Sequence, residues 1–279
     1  MNILQAAILG LVQGLAEFLP ISSSGHLILA RAVMGISDEA AATGVFTMLD
    51  VLLHAGTLVA VLVVFWKDWW AILKNPFKSK TLLLLFIASL PALLTVVLLG
   101  DILDSFFSGW FMGVSFLITA VFMLIAETVS NRSRKWAERP GFKHAVCMGV
   151  MQAIALLPGV SRSGSTLMGG VTSGLNRKSA AKFAFMMSAP AILGSLVFEG
   201  KEAIEKGYLS DLALVPTIVG VVVAAISGYL AIRFMLRLIN KVSLNWFALY
   251  VALLGLVYLV LQLAGVPALQ PFAPPAVFG

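Results

Sequence analysis

The chain of 279 residues is 60% hydrophobic and only 11% charged, and its mean hydropathy of +0.99 excludes an ordinary water-soluble domain. A formal net charge of +6 would suit a nucleic-acid binder in a soluble protein, but most basic residues here lie in short loops between apolar runs. The charge therefore reads as topology, and no nucleic-acid partner is expected. One cysteine, Cys147, excludes an internal disulfide and, set among apolar residues, reads as inert packing.

The N-terminal Met1-Asn2-Ile3-Leu4 lacks the basic start of a secretory signal, so no cleavage is expected. An apolar run over 3–19 ends in the polar turn Pro20-Ile21-Ser22-Ser23-Ser24-Gly25-His26, and a short apolar piece follows over 24–35. Runs near 46–66, 80–100 and 107–128 are long enough to cross a bilayer. The pattern then restarts: an apolar run over 142–157, a polar turn through Gly159-Val160-Ser161-Arg162-Ser163-Gly164-Ser165, a short piece over 163–174, and crossings near 180–199, 211–233 and 244–264. The tail 265–279 carries Pro267, Pro271, Pro274 and Pro275 and reads as irregular.

The restart is a repeat. Gly10, Gln13, Ser22, Ser24, Gly25 and Gly35 stand 139 positions before Gly149, Gln152, Ser161, Ser163, Gly164 and Gly174, and Ala41, Ala42, Phe46 and Met48 continue the register to Ala180, Ala181, Phe185 and Met187. A polar turn between two short apolar pieces predicts a broken, re-entrant helix pair. The expected fold is an all-α polytopic membrane protein forming a single domain over 1–279. Repeat one covers about 1–139 and repeat two about 140–264. Each has one re-entrant pair and three full crossings, and the odd number makes the topology inverted. This arrangement places 15 of the 19 Lys and Arg residues on one side and only Arg31, Lys201 and Lys206 on the other, with Arg162 in the second turn. The positive-inside rule makes the first side cytoplasmic and both termini external. The two turns would then enter from opposite faces and meet near the midplane.

Hydroxyls, glycines and charges are costly in hydrocarbon unless protein or water satisfies them, so both turns are candidate functional sites. Gln13 and Glu17 share a helix face one turn before the break, and Gln152 repeats Gln13. Glu17 reads as functional or as an interfacial cap. Ser22, Ser23 and Ser24 could cap the next helix or, with Gly25 and the helix N-terminus, bind an anion. Ser161, Ser163, Gly164 and Thr166 repeat that geometry. Arg162 adds a planar cation suited to phosphate oxygens, or a counter-ion for Glu17. His26 could be a general acid or base, a nucleophile toward phosphorus, or a packed histidine. Asp50 and His54 form a further pair that could line the same cavity, bind a divalent cation, or lie at the interface. Glu127 reads as half of a surface ion pair, Asp101 and Asp104 as outer-loop residues, and Trp66, Trp69, Trp70, Trp110, Trp136 and Trp246 as interface anchors.

The string Gln13-Gly14-Leu15-Ala16-Glu17-Phe18-Leu19-Pro20-Ile21-Ser22-Ser23-Ser24-Gly25-His26, together with Pro158-Gly159-Val160-Ser161-Arg162-Ser163-Gly164-Ser165-Thr166, resembles the two signature motifs of undecaprenyl-diphosphate phosphatase, the integral-membrane bacitracin-resistance family. The resemblance implies hydrolysis of undecaprenyl diphosphate to undecaprenyl phosphate and inorganic phosphate, in the bacterial cytoplasmic membrane and at a site open to its outer face. It implies inverted repeats and a divalent cation, Mg²⁺ or Ca²⁺, with Glu17, Gln13 and Asp50 as candidate ligands. Gln13 stands where the motif also allows glutamate, which weakens a paired-carboxylate metal site, and Asp50 stands where some members have glutamate, so its role carries over only weakly. On this reading Glu17 and His26 manage protons, Ser23 is the candidate nucleophile with His26 or water as rivals, and Arg162 clamps phosphate beside Ser22 and Thr166. A polyprenyl-phosphate transporter using the same residues is the alternative, and a homo-oligomer is compatible with the sequence.

Overall fold

The computed structural model describes residues 1–36, 45–106, 110–132, 136–205 and 213–266. Ala41, Ala42 and most of the tail lie outside them, as do the side chains of Phe46, Asp101 and Asp104.

Apolar length decides the helices. Helix α1 (Ile3–Phe18) runs to the first turn and α2 (Ser23–Val33) leaves it; α3 (Val45–Val64), α4 (Trp66–Lys74), α5 (Lys80–Phe106) and α6 (Met112–Arg132) follow. Helix α7 (Phe142–Ile154) runs to the second turn and α8 (Arg162–Thr172) leaves it; α9 (Arg177–Glu205), α10 (Leu214–Leu238) and α11 (Asn245–Leu263) complete the described helices. Five of these are long and apolar enough to cross a membrane, or six if the bent pair Met48–Val64 and Trp66–Lys74 counts as one span. An all-helical, multi-pass membrane protein is therefore the observed class.

Two expectations change. The crossing expected over 46–66 breaks at Phe65, and α4 departs at 78°. Its Trp66 and Trp70 stay exposed, with Lys67 and Lys74 each 5.7 Å from one of those rings, an arrangement suited to a membrane surface. Helix α5 continues past the expected end to Phe106, through non-helical angles at Leu99, so the backbone of Asp101 and Asp104 is helical rather than loop.

The chain divides into two compact units: Met1–Phe18, His26–Ser79 and Phe185–Met235 in the first, and Leu19–Gly25, Lys80–Ala184 and Leu236–Gly279 in the second. Each draws on both halves of the sequence. In the first unit, Leu9, Leu27, Leu49, Leu53 and Ala224 bring α1, α2, α3 and α10 into one core. Small residues set the spacing: a Cβ on Gly10 would stand 2.2 Å from the Gly220 carbonyl oxygen, so α1 and α10 meet backbone to backbone. Phe18 closes α1 edge-on against Phe185, with ring centroids 5.4 Å apart. In the second unit, α6 packs against α8 and α11, and α7 against α5 and α8. Gly149, the repeat partner of Gly10, again admits a neighbouring backbone, since a Cβ there would lie 2.6 Å from the Ala88 carbonyl oxygen.

Glu127 departs from its expected surface role. Its carboxylate is buried and accepts hydrogen bonds from Arg177 at 2.6 Å, Asn131 at 3.1 Å and the Leu244 amide at 2.7 Å. The ion pair ties the end of α6 to the starts of α9 and α11 in the second unit, and backbone and side-chain donors together offset the cost of burying the charge.

Candidate active site

In the first unit, the face of α1 that carries Gln13 and Glu17 is fully packed. Gln13 is buried and donates from Nε2 to Glu17 Oε2 at 3.1 Å. His54, on α3, brings Nε2 to 3.5 Å from the same carboxylate oxygen. His54 Nδ1 lies 2.7 Å from the Asp50 carbonyl oxygen, which can only accept, so Nδ1 carries a proton. Nε2 therefore faces the Glu17 carboxylate. Asp50 is ion-paired through its carboxylate to Arg31 at the end of α2. His26 is half-buried on α2 in the same unit.

The second unit holds both polar turns apart from His26, and they are bonded to one another. Ser24 Oγ accepts the Gly159 amide at 3.2 Å, while Ser163 Oγ donates to the Leu19 carbonyl at 2.9 Å. In each turn the paired serines also meet, Ser22 with Ser24 at 3.3 Å and Ser161 with Ser163 at 3.2 Å. Ser161 caps α8 by accepting the Gly164 amide at 3.2 Å, and Ser22 accepts the Gly25 amide at 3.4 Å. Gly164 permits the close approach, as a Cβ there would lie 3.3 Å from Pro20 Cβ. Arg162 and Ser23 are the first residues of α8 and α2, at the helix ends where amides and dipole favour an anion. Thr166 is buried and gives its hydroxyl proton to the Arg162 carbonyl at 2.8 Å.

Gln13, Glu17, Asp50 and His54 thus gather in the first unit, and the serines, glycines, Arg162 and Thr166 in the second. Gln152 is buried on α7, and the side-chain oxygens of both Gln13 and Gln152 make no hydrogen bond among the described residues. Among those residues no group of three His, Cys, Asp or Glu side chains forms a ready metal cage, and Asp50 is engaged by Arg31. The unpartnered Gln13 oxygen beside Glu17 does fit the oxygen chemistry of a hard cation. Sequence reasoning counted Arg31 only as an outer-side charge. It missed Thr119, whose hydroxyl accepts the Ser161 amide at 3.0 Å.

A profile described as bacitracin resistance protein BacA matches residues 6–257. The chain belongs to this family. Within the BacA-type relatives, it is 42% identical over 267 residues to an undecaprenyl-diphosphatase of Carboxydothermus hydrogenoformans, covering 95% of this chain and 99% of that protein. It is 39% identical over 267 residues to undecaprenyl-diphosphatase 4 of Bacillus thuringiensis subsp. konkukian, covering 95% and 100%. Against an undecaprenyl-diphosphatase of Halothermothrix orenii it is 36% identical over 266 residues, covering 94% and 98%. The BacA match spans both polar turns and every described helix except the last residues of α11 and the first of α1.

Proposed function

We infer that this protein is an undecaprenyl-diphosphatase, hydrolysing undecaprenyl diphosphate to undecaprenyl phosphate and inorganic phosphate and so returning the carrier lipid to envelope synthesis. Membership of the BacA family and the names of its relatives support this reading. The observation that carries the site assignment is the pair of serine turns bonded to each other, with Arg162 heading one helix and Ser23 the other.

Cleaving a phosphoanhydride needs charge neutralised on several oxygens, a nucleophile in line, and a proton acceptor. We assign Arg162 to the phosphate clamp, with the amides and hydroxyls of the turns, including Ser22 and Thr166, as further donors. Ser23 is assigned as nucleophile: its Oγ attacks the terminal phosphorus, the bond to the bridging oxygen breaks, and undecaprenyl phosphate leaves. Water then attacks the phosphoserine and releases inorganic phosphate. Glu17, backed by His54, and His26 are assigned to take up and return the protons. We assign both clusters to one reaction because both lie in or beside the two motifs that carry the family resemblance. A divalent cation, Mg²⁺ or Ca²⁺, would be held by Glu17 and the Gln13 side-chain oxygen and would neutralise phosphate charge. We place both termini outside, as the basic residues favour, and, as the family resemblance implies, the protein in the cytoplasmic membrane with its site open to the outer face. The fold is read as two inverted repeats with re-entrant helix pairs, supported by the 139-residue register.

Phosphate release by the purified protein in detergent tests the reading. Arg162→Ala should lower kcat/KM by roughly 100- to 1000-fold, and Arg162→Lys should recover little because the ammonium lacks the planar fork. Phosphate release unaffected by Arg162→Ala would remove the clamp, and lipid movement without phosphate release would favour the transporter.

A further inference from the structure

We propose that Thr119 is a positioning residue for phosphate cleavage, its hydroxyl fixing the orientation of the turn that carries Arg162. The proposal rests on the reading of that turn as the phosphate clamp.

Thr119 lies on α6 and is fully buried. Its Oγ1 accepts the Ser161 amide at 3.0 Å and lies 3.1 Å from the Ser115 carbonyl and 3.4 Å from the Gly159 carbonyl, either of which can take its proton. The hydroxyl therefore sits between two backbone groups of the same turn, on either side of Val160. A threonine that only returned its proton to the carbonyl four residues earlier would be an ordinary helix feature. Accepting the Ser161 amide is a different task. Ser161 is the N-cap of α8, so its amide is outside the helix ladder, and its burial keeps water away.

Through that amide the effect reaches Arg162. The remaining polar atoms of Ser161 are also committed: Oγ accepts the Gly164 amide at 3.2 Å, and its carbonyl accepts the Ser165 amide at 2.8 Å and the Ser165 hydroxyl at 2.7 Å. Ser161, the residue leading into Arg162, is thus held at both its amide and its carbonyl, with Thr119 supplying the contact from outside the turn. Gly159 is seated on the same helix face, since a Cβ there would lie 2.5 Å from Met112 Sδ and 2.7 Å from Ser115 Cβ. Ser115, one turn from Thr119, has a buried hydroxyl oxygen without a partner among the described residues. It supplies a matched control on the same face. Positioned donors matter most where charge develops in the transition state, so the loss should fall on kcat more than on KM.

The test is phosphate release by the full-length purified protein, with folding followed by its thermal midpoint. Thr119→Val should lower kcat by about tenfold or more while KM moves less than about threefold, and should weaken inhibition by inorganic phosphate. Thr119→Ser, which keeps the hydroxyl, should stay within about threefold of the parent, and Ser115→Ala within about twofold. A folded Thr119→Val protein with a smaller fall in kcat overturns the proposal, as does a serine variant as slow as the valine one. Should Thr119→Val not yield folded protein, Thr119→Cys against Thr119→Ser makes the same comparison, because a thiol is a weak donor and acceptor. Arg162→Ala in the same assay separates the two readings. If it retains the rate, the clamp itself fails; if it abolishes the rate while Thr119→Val does not, only the role of Thr119 fails.

Discussion

The first and second copies of the turn share their wiring and differ in what they carry. In both, paired serines meet and the leading serine accepts the amide three residues on. Each also grips a link of the other turn, but not in the same way. Ser163 donates to the Leu19 carbonyl, whereas Ser24 accepts the Gly159 amide. Pro20, the equivalent of Gly159, has no amide hydrogen to offer. At the remaining offset positions the copies part: Ser23 stands opposite Arg162, His26 opposite Ser165, Glu17 opposite Leu156 and His54 opposite Leu193. The two turns share a cradle of backbone and hydroxyls, and on the function proposed above the titratable and nucleophilic groups belong to the first copy and the arginine to the second.

If that division is right, the sharpest way to break it within the first copy is to remove the proton partners. Glu17→Gln should cost about 100-fold in kcat, within the usual range for general acid–base groups, and His54→Gln about tenfold. Because the two side chains face one another at 3.5 Å and are assigned to the same proton transfer, the double variant should be no slower than Glu17→Gln alone. Fully multiplicative losses would mean that His54 serves something other than Glu17.

A smaller effect is expected from the glycines, and here the second copy should be the more sensitive. Gly159 has φ +86, so an alanine there incurs backbone strain of about 1–2 kcal/mol. Overpacking against Met112 and Ser115 adds about 1–3 kcal/mol. Gly25 meets only the packing problem, a Cβ there lying 2.4 Å from Phe116 Cζ. Gly159→Ala should therefore lower the thermal midpoint further than Gly25→Ala. The first copy carries its own strain at Ser22, whose φ is +73, a conformation that costs a serine about 1–3 kcal/mol. Equal midpoints for the two alanine variants would count against the difference argued from Gly159.

What was legible in the sequence follows the same physics. Helix positions could be read because a bilayer demands apolar length, and both turns because proline, glycine and serine interrupt it. The break at Phe65 could not be read, since Val64, Phe65 and Trp66 continue an apolar run with no proline or glycine to mark a bend. Glu17 stood out as a charge among apolar residues, but its partner His54 lies 37 positions away on another helix, and Arg31 finds Asp50 across 19. Thr119 left no mark, because a lone threonine in an apolar helix usually bonds its own backbone, and this one does that as well.

The finest test of the comparison lies at the other end of the two short helices. Helix α1 opens with a reciprocal cap: the Asn2 amide donates to Gln5 Oε1 at 2.9 Å and the Gln5 amide to Asn2 Oδ1 at 2.8 Å. One repeat later the same two positions are Gly141 and His144, and only half of the cap survives, the Gly141 amide donating to His144 Nδ1 at 2.9 Å. Glutamine accepts that bond at any pH, but an imidazole accepts only while Nδ1 is unprotonated. Burial, and then the neighbouring Lys143 charge, hold His144 below its ordinary value of 6.5. The folded state therefore binds this proton less readily than the unfolded chain does. The cap's contribution is present in full above the ordinary histidine value and is lost as pH falls through the depressed one. The thermal midpoint of the parent should fall between about pH 7.5 and pH 5 by more than that of His144→Gln, which restores the acceptor of the first copy. Identical pH profiles for the two proteins would show that the second cap is as indifferent to protons as the first.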